Sequence, residues 1–237
     1  MSNRNPNVFG VWGSLGTRVL AAESYWKQPI VWDRHAAKTG EDHLVFCCSL
    51  ADVYEKWDGQ MTNPKGEYLW YSVQDNHIIT SRSQDRQPSA TLPYTLDKAR
   101  KRLHNLIMIT THLDWLLLTK HPENMRPSFV PDEWERRGWP DHVWAMTSVE
   151  NQKYADIRIP LLQKVPAKIR GLSIEPQLEP VDLTGLLNGI SWIIIGGESG
   201  KDARPFNVDY ARSLLKQGND ARVKCFVKQL GSNVVWD

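Results

Sequence analysis

Six short apolar runs along this chain each end in a polar, chemically capable cluster, and helix-like segments separate most of them. The runs are His43 to Leu50, leading into Ala51-Asp52; Leu113 to Leu118, into Thr119-Lys120-His121-Pro122; Val143 to Thr147, into Ser148-Val149-Glu150-Asn151; Ile169 to Ile174, into Glu175-Pro176; Ile190 to Ile195, into the Gly196–Gly200 stretch; and Lys224 to Val227, into Lys228-Gln229. Short apolar runs bounded by polar clusters read as buried strands, and their alternation with helical patterns predicts a parallel sheet. All carboxyl ends of such a sheet lie on one face, where open α/β sheets and β/α barrels bind ligands. The expected class is therefore α/β: a partial, open, TIM-like parallel β/α barrel, because six strands are too few for a closed eight-stranded one. A doubly wound sheet is the competing architecture.

Between the strands the pattern is less regular. Ser24 to Lys38 reads as a helical or irregular stretch interrupted by Pro29, within an amino-terminal arm over residues 1–40 that shows no clean strand. Residues 55–93 break the α/β rhythm as an insertion. Glu67 to Ser72 and His77 to Thr80 predict a β-hairpin around Val73-Gln74-Asp75-Asn76, and Ser81 to Pro93 a returning loop. Helices are expected over Leu96 to Met108 with Thr95 as cap, Asp132 to Arg137, Tyr154 to Val165 around Pro160, a short turn at Asp182 to Asn188, and Asn207 to Gln217 ended by Gly218. A chain of 237 residues fits one domain of this kind.

Composition narrows the function classes. The 29 Lys+Arg against 27 Asp+Glu leave a net charge of +2, too small for bulk electrostatics to select a nucleic-acid or membrane partner. No stretch approaches the roughly 20 apolar residues of a membrane span, and the polar opening predicts a cytoplasmic protein without a membrane partner. Cys47, Cys48 and Cys225 read as buried thiols, since adjacent strand residues face opposite ways and no C-x-x-C spacing occurs. The 11 tryptophans, with Trp115, Trp144 and Trp192 early in three strands, read as core. In the arm, Arg4, Arg18, Lys27, Arg34 and Lys38 are interleaved with Trp12, Tyr25, Trp26 and Trp32, a mixture that can stack bases and hold phosphates or pack on the fold with its charges solvated.

The strand ends carry the candidate chemistry. Asp52, Lys120, Glu150, Glu175, Glu198 and Lys228 are opposite charges at one expected mouth, suited to a zwitterionic or phosphorylated ligand. Ser49, Thr119, Ser148, Gly197 and Gln229 complete the expected binding set. Glu175 and Glu198, at neighbouring strand ends where they can share a cation or an amine, are the acid–base candidates. The glycines around Glu198 permit close ligand approach, yet match neither the P-loop nor the dinucleotide fingerprint; the alternative is a tight turn. No nucleophilic triad is visible, and His112 and His121 carry no assigned role.

Taken in order, Val45–Val53, Trp115–Asn124, Thr147–Asn151, Ser173–Pro176, Gly196–Gly200 and Val227–Gln229, with Ser24–Pro29 and Trp32–Arg34, closely resemble a bacteriophage-encoded family of unknown function. That family is often described by a three-cysteine motif and is similar to radical S-adenosylmethionine enzymes. The resemblance implies a partial β/α barrel with a redox or radical site at the strand ends and an iron–sulfur cluster on three early cysteines closely followed by Tyr-Ala. This chain departs there: its opening Met1–Pro6 looks like the segment directly after those cysteines, and Cys47, Cys48 and Cys225 lack their spacing. It also has His121 where the family more often has arginine. The expectation is no cofactor in this chain, with the cluster and S-adenosylmethionine belonging to a full-length form. Gly196-Gly197-Glu198 is similar to the element that holds the amino group of S-adenosylmethionine, although that element follows an early strand. The alternative class is a non-catalytic module whose arm and mouth engage a nucleotide, a nucleic acid or a host protein.

Overall fold

The computed structural model describes residues 16–47 and 51–236. In chain order the elements are α1 (Glu23–Thr39), β1 (His43–Cys47), β2 (Tyr68–Ser72), β3 (His77–Ser81), β4 (Thr91–Pro93), α2 (Leu96–Ile109), β5 (Leu113–Thr119), α3 (Asp132–Arg137) and β6 (Val143–Ser148). There follow α4 (Gln152–Leu162), β7 (Ile169–Ile174), β8 (Trp192–Gly196), β9 (Phe206–Asn207), α5 (Val208–Asp220), β10 (Lys224–Gln229) and β11 (Val234–Val235). They form two compact units, one of Met1–His43 with Glu55–Leu113, the other of Leu44–Tyr54 with Asp114–Asp237.

The first unit is built on α1, α2 and a three-stranded sheet in which β2 pairs antiparallel with both β3 and β4. The turn joining β2 to β3 is fixed by side chains: Ser72 Oγ donates to Asp75 Oδ2 (2.8 Å) and accepts from Asp75 N (3.2 Å), and Asn76 takes the left-handed conformation with φ 53°. Thr91–Pro93, expected as loop, is an edge strand instead, where the missing proline N–H forfeits no ladder bond. Leu20, Met61, Leu69, Tyr94 and Ala99 make the core, with Trp26, Trp57, Tyr71 and Ile78 packed against it. Helix α1 runs unbroken through Pro29, which is buried, so proline does not interrupt it as expected. In α2 the stripe Leu96, Ala99, Leu103, Leu106 and Ile107 is buried at helical spacing, whereas Thr95 makes no side-chain cap bond.

The second unit holds a six-stranded parallel sheet in the order β1-β5-β6-β7-β8-β10, an open, curled half-barrel. Strands follow one another in chain order, which is the barrel pattern and not the reversing order of a doubly wound sheet. Period two divides the inner strands β5, β6, β7 and β8 between two buried faces, whereas the edge strands β1 and β10 are only partly covered. Leu116, Leu118, Trp144, Met146 and Ile194 cluster on one face with Phe46, Ile169 and Trp192. The alternate residues Trp115, Leu117, Val143, Ala145, Leu172, Ile193 and Ile195 are buried on the other. Gly171 sits opposite Met146 in the β6–β7 register, and a Cβ there would be 2.9 Å from the Met146 methyl, so the small residue makes room for the large one.

Helix ends in this unit follow their caps: Asn151 Oδ1 accepts from Tyr154 N (3.1 Å), and Asn207 Oδ1 from Asp209 N (2.7 Å). Gly218 does not end α5, which continues to Asp220; it lies against Cys225 Sγ, where a Cβ would not fit. Residues 182–188 form turns without a helix, and α4 spans Gln152–Leu162, with Pro160 in its last turn. No helix among the described residues is long and apolar enough to cross a membrane.

Candidate functional site at the strand carboxyl ends

Backbone bonds tie the ends of β6, β7, β8 and β10 to one another. Val149 N donates to Ser173 O (2.8 Å), Leu178 N to Glu150 O (3.0 Å), Gln177 N to Gly196 O (2.9 Å) and Gly197 N to Gln229 O (3.0 Å). Side chains leaving β6, β7, β8 and β10 are thereby held at fixed spacing, and two polar networks form on this rim.

The first joins the ends of β1, β5 and β6. Asp52 accepts from Thr119 Oγ1 (2.7 Å), Tyr54 N (3.0 Å) and Lys120 N (2.8 Å), so its carboxylate anchors the turn that carries Lys120. Burial pushes the Asp52 carboxyl above its ordinary range, against the opposing pull of those three donors. Lys120 Nζ pairs with Glu150 Oε1, and Arg158 Nη1 reaches Glu150 Oε2 (2.8 Å) and Ser148 O (2.9 Å). The Glu150 side chain is only 9% exposed. Burial alone would raise its pKa; the Lys120 hydrogen bond and the Lys120 and Arg158 charges outweigh that and hold it below the ordinary value.

The second network joins the ends of β7, β8 and β10. Glu175 Oε2 accepts from Lys228 Nζ (3.1 Å) and its Oε1 from Gln229 Nε2 (3.1 Å), which also donates to Gly197 O (3.1 Å). Ser199 Oγ donates to Gln229 Oε1 (3.0 Å). The Lys228 ammonium lies 5.3 Å from the Phe46 ring centroid, which brings β10 toward β1 and makes Phe46 part of the cation's seat. Gln177, 2% exposed, has an Oε1 with no hydrogen-bond partner among the described residues, an acceptor left unpaired beside Glu175.

The geometry thus brings Asp52, Thr119, Lys120, Ser148 and Glu150 together, and separately Glu175, Gly197, Lys228 and Gln229. Ser49 lies outside the described residues. Glu198 is engaged elsewhere: Arg204 Nε donates to its Oε2 at 2.7 Å and Arg204 N at 3.2 Å, and that hydrogen bond holds its pKa below the ordinary value. Each acid–base candidate therefore has its own cation, with no bond joining Glu175 to Glu198. Gly197 is explained by its own fold, since a Cβ there would collide with the Leu230 carbonyl. His121 Nδ1 lies 3.1 Å from Glu123 Oε1, and in the first unit His112 Nδ1 lies 3.3 Å from Asp33 Oδ1.

A family model described as a protein of unknown function, DUF5131, matches residues 92–236. The chain belongs to the DUF5131 family. No curated protein and no solved structure matches it. The DUF5131 match takes in every strand-end candidate except Ser49 and Asp52, and it also takes in Arg158 and Arg204, the two arginines that pair with the rim carboxylates. Arg158 had a signal in the sequence: it interrupts the apolar stripe Ala155, Ile159, Leu162 of α4, a placement that calls for a buried carboxylate.

Two surface recesses of the second unit lie away from these networks. One of about 260 Å³ is lined by Pro122, Met125, Arg126, Glu135, Leu161 and Lys164, and another of about 420 Å³ by Gly185, Leu187, Asn188, Gly189, Ile190 and Ala221. Neither recess is lined by a residue of the two networks, and the rim itself is filled by its own ion pairs. Replacing Asp52 by alanine is expected to cost about 1–3 kcal/mol by stranding three donors; a urea midpoint equal to that of the unaltered protein would mean that water replaces the carboxylate.

Proposed function

We propose that this chain is a phage-encoded, radical-SAM-like half-barrel protein whose strand-end rim binds a small ligand bearing both an ammonium and an anionic group. The observation that carries the reading is the paired rim: Glu150 between Lys120 and Arg158, and Glu175 between Lys228 and Gln229. A ligand amine can take the place of the Lys228 ammonium between Glu175 and Phe46, while its carboxylate or phosphate meets the released lysine and Lys120. Glu175 is then the acid–base group in contact with ligand, with Thr119, Ser148 and Asp52 as positioning residues. Glu198 acts through Arg204.

An iron–sulfur cluster does not fit this chain's described cysteines. Cys225 Sγ packs against Gly218 of α5 and donates to Val223 O (3.6 Å), and Cys47 of β1 is the other cysteine among the described residues, so these residues do not supply three thiolates to one cluster. Reductive cleavage of S-adenosylmethionine would need three cluster-binding cysteines, which the described residues do not supply.

Calorimetry with S-adenosylhomocysteine tests the rim, and Lys228→Met together with Glu175→Gln is expected to weaken binding at least tenfold. Absence of heat up to millimolar ligand would remove the reading. Anaerobic reconstitution tests the relationship to radical enzymes: this chain should stay colourless and an upstream-extended form should turn brown. A colourless extended form would defeat that part.

A further inference from the structure

Helix α1 carries a row of exposed basic side chains. Its two acidic residues are held by partners in the same unit: Glu23, 60% exposed and one turn before Lys27, takes a two-pronged bond from Arg102 (2.7 and 2.6 Å), and Asp33, 15% exposed, accepts from His112 N (2.8 Å). Lys27, Arg34 and Lys38 are exposed. Spaced by seven and four residues, they fall within about 20° of one line along the helix and span about 16 Å. Val31, 61% exposed, lies beside that line, and exposed His35 flanks it, whereas Pro29 and Ala36 are buried on the opposite side. Glu23 feels the Lys27 charge, but its carboxylate is already held by Arg102. Exposed Glu41 and Asp42 follow the helix and set the limit of the row.

We propose that this face of α1 binds the phosphate backbone of a nucleic acid. A straight row of cations whose neighbouring carboxylates are already paired, Glu23 with Arg102 and Asp33 with His112, complements a linear polyanion, and backbone phosphates offer one charge per about 1.7 Å of duplex axis. An anionic membrane fits less well, because a helix lying in a bilayer surface needs a broad apolar face and here only Val31 adjoins the cations. Contact is through phosphates, so the surface is sequence-tolerant. The other basic side chains of this region are differently employed: Arg18 lies over Trp57 and pairs with Glu55, and Arg102 lies over Trp26. The inference stands apart from the rim, since α1 precedes the residues matched by the family model.

Fluorescence anisotropy of the full chain with a labelled 20-base-pair duplex, titrated at increasing salt, tests it. Three phosphate contacts predict that log K falls with log salt with a slope of about −2.7. Lys27→Gln/Arg34→Gln/Lys38→Gln should lose at least tenfold in affinity at low salt and flatten the slope, with circular dichroism checking that it folds. The charge-keeping pair Lys27→Arg/Lys38→Arg should retain binding, as should Lys216→Gln, which removes an exposed lysine already paired with Asp220. No binding of the unaltered chain at low salt, equal binding by the triple variant, or capture by phosphatidylserine vesicles without duplex binding would each overturn the proposal.

Discussion

Arg158→Met is expected to destabilise the protein by about 3–5 kcal/mol, the usual consequence of removing one partner from a buried ion pair. The two side chains are 11% and 9% exposed, so Glu150 would keep its charge in a dry setting with only Lys120 beside it. Lys120 is half exposed, and Lys120→Met should cost no more than about 1 kcal/mol. The pH dependence carries the same sign. The folded Glu150 pKa is depressed, so its contribution is complete above the ordinary carboxylate range and disappears as pH falls through the lowered value. Without Arg158 that loss should begin at higher pH. Urea unfolding at neutral and mildly acidic pH measures both effects. Glu150→Leu/Arg158→Met should recover much of the stability, because removing both charges removes the unpaired one. An Arg158→Met protein no weaker than Lys120→Met would mean that water reaches Glu150.

The strands of the half-barrel were legible because their signal is local. Ile169–Ile174 and the start of every other strand but β8 fall where apolar runs predict them, and chain-order pairing then follows from right-handed β/α connections. Less visible was anything decided by a distant contact. Gly218 reads as a helix terminator by local rules, yet α5 passes through it because Cys225 needs the space. Pro29 reads as an interruption, yet α1 continues through it with Pro29 packed on the buried face. The rim was half legible: charges at strand ends could be placed on one side of the sheet, but which carboxylate meets which cation depends on loops and helices. Arg204, six residues beyond Glu198 and outside any strand or helix, is why Glu198 and Glu175 have separate partners.

The glycines after β8 decide between two roles by experiment. Gly197→Ala is expected to cost about 3 kcal/mol, because its Cβ would overlap the Leu230 carbonyl, a backbone atom with no rotamer to escape into. The opposing turn is equally tight: Gly231 has φ 81°, and a Cβ on it would lie 2.6 Å from Glu198 O, which also accepts from Ser232 N (2.9 Å). Backbone therefore packs on backbone across residues 197–198 and 230–232. Any displacement there moves Gln229, whose carbonyl receives Gly197 N and whose amide holds Glu175. Gly196→Ala is the milder comparison, with its nearest contact at 3.2 Å to the Glu175 side chain, which can shift. A thermal-unfolding ranking with Gly197→Ala well below Gly196→Ala would assign Gly197 to loop packing. A Gly197→Ala protein as stable as the unaltered chain, but unable to bind ligand, would return that glycine to the role of letting a ligand approach the backbone.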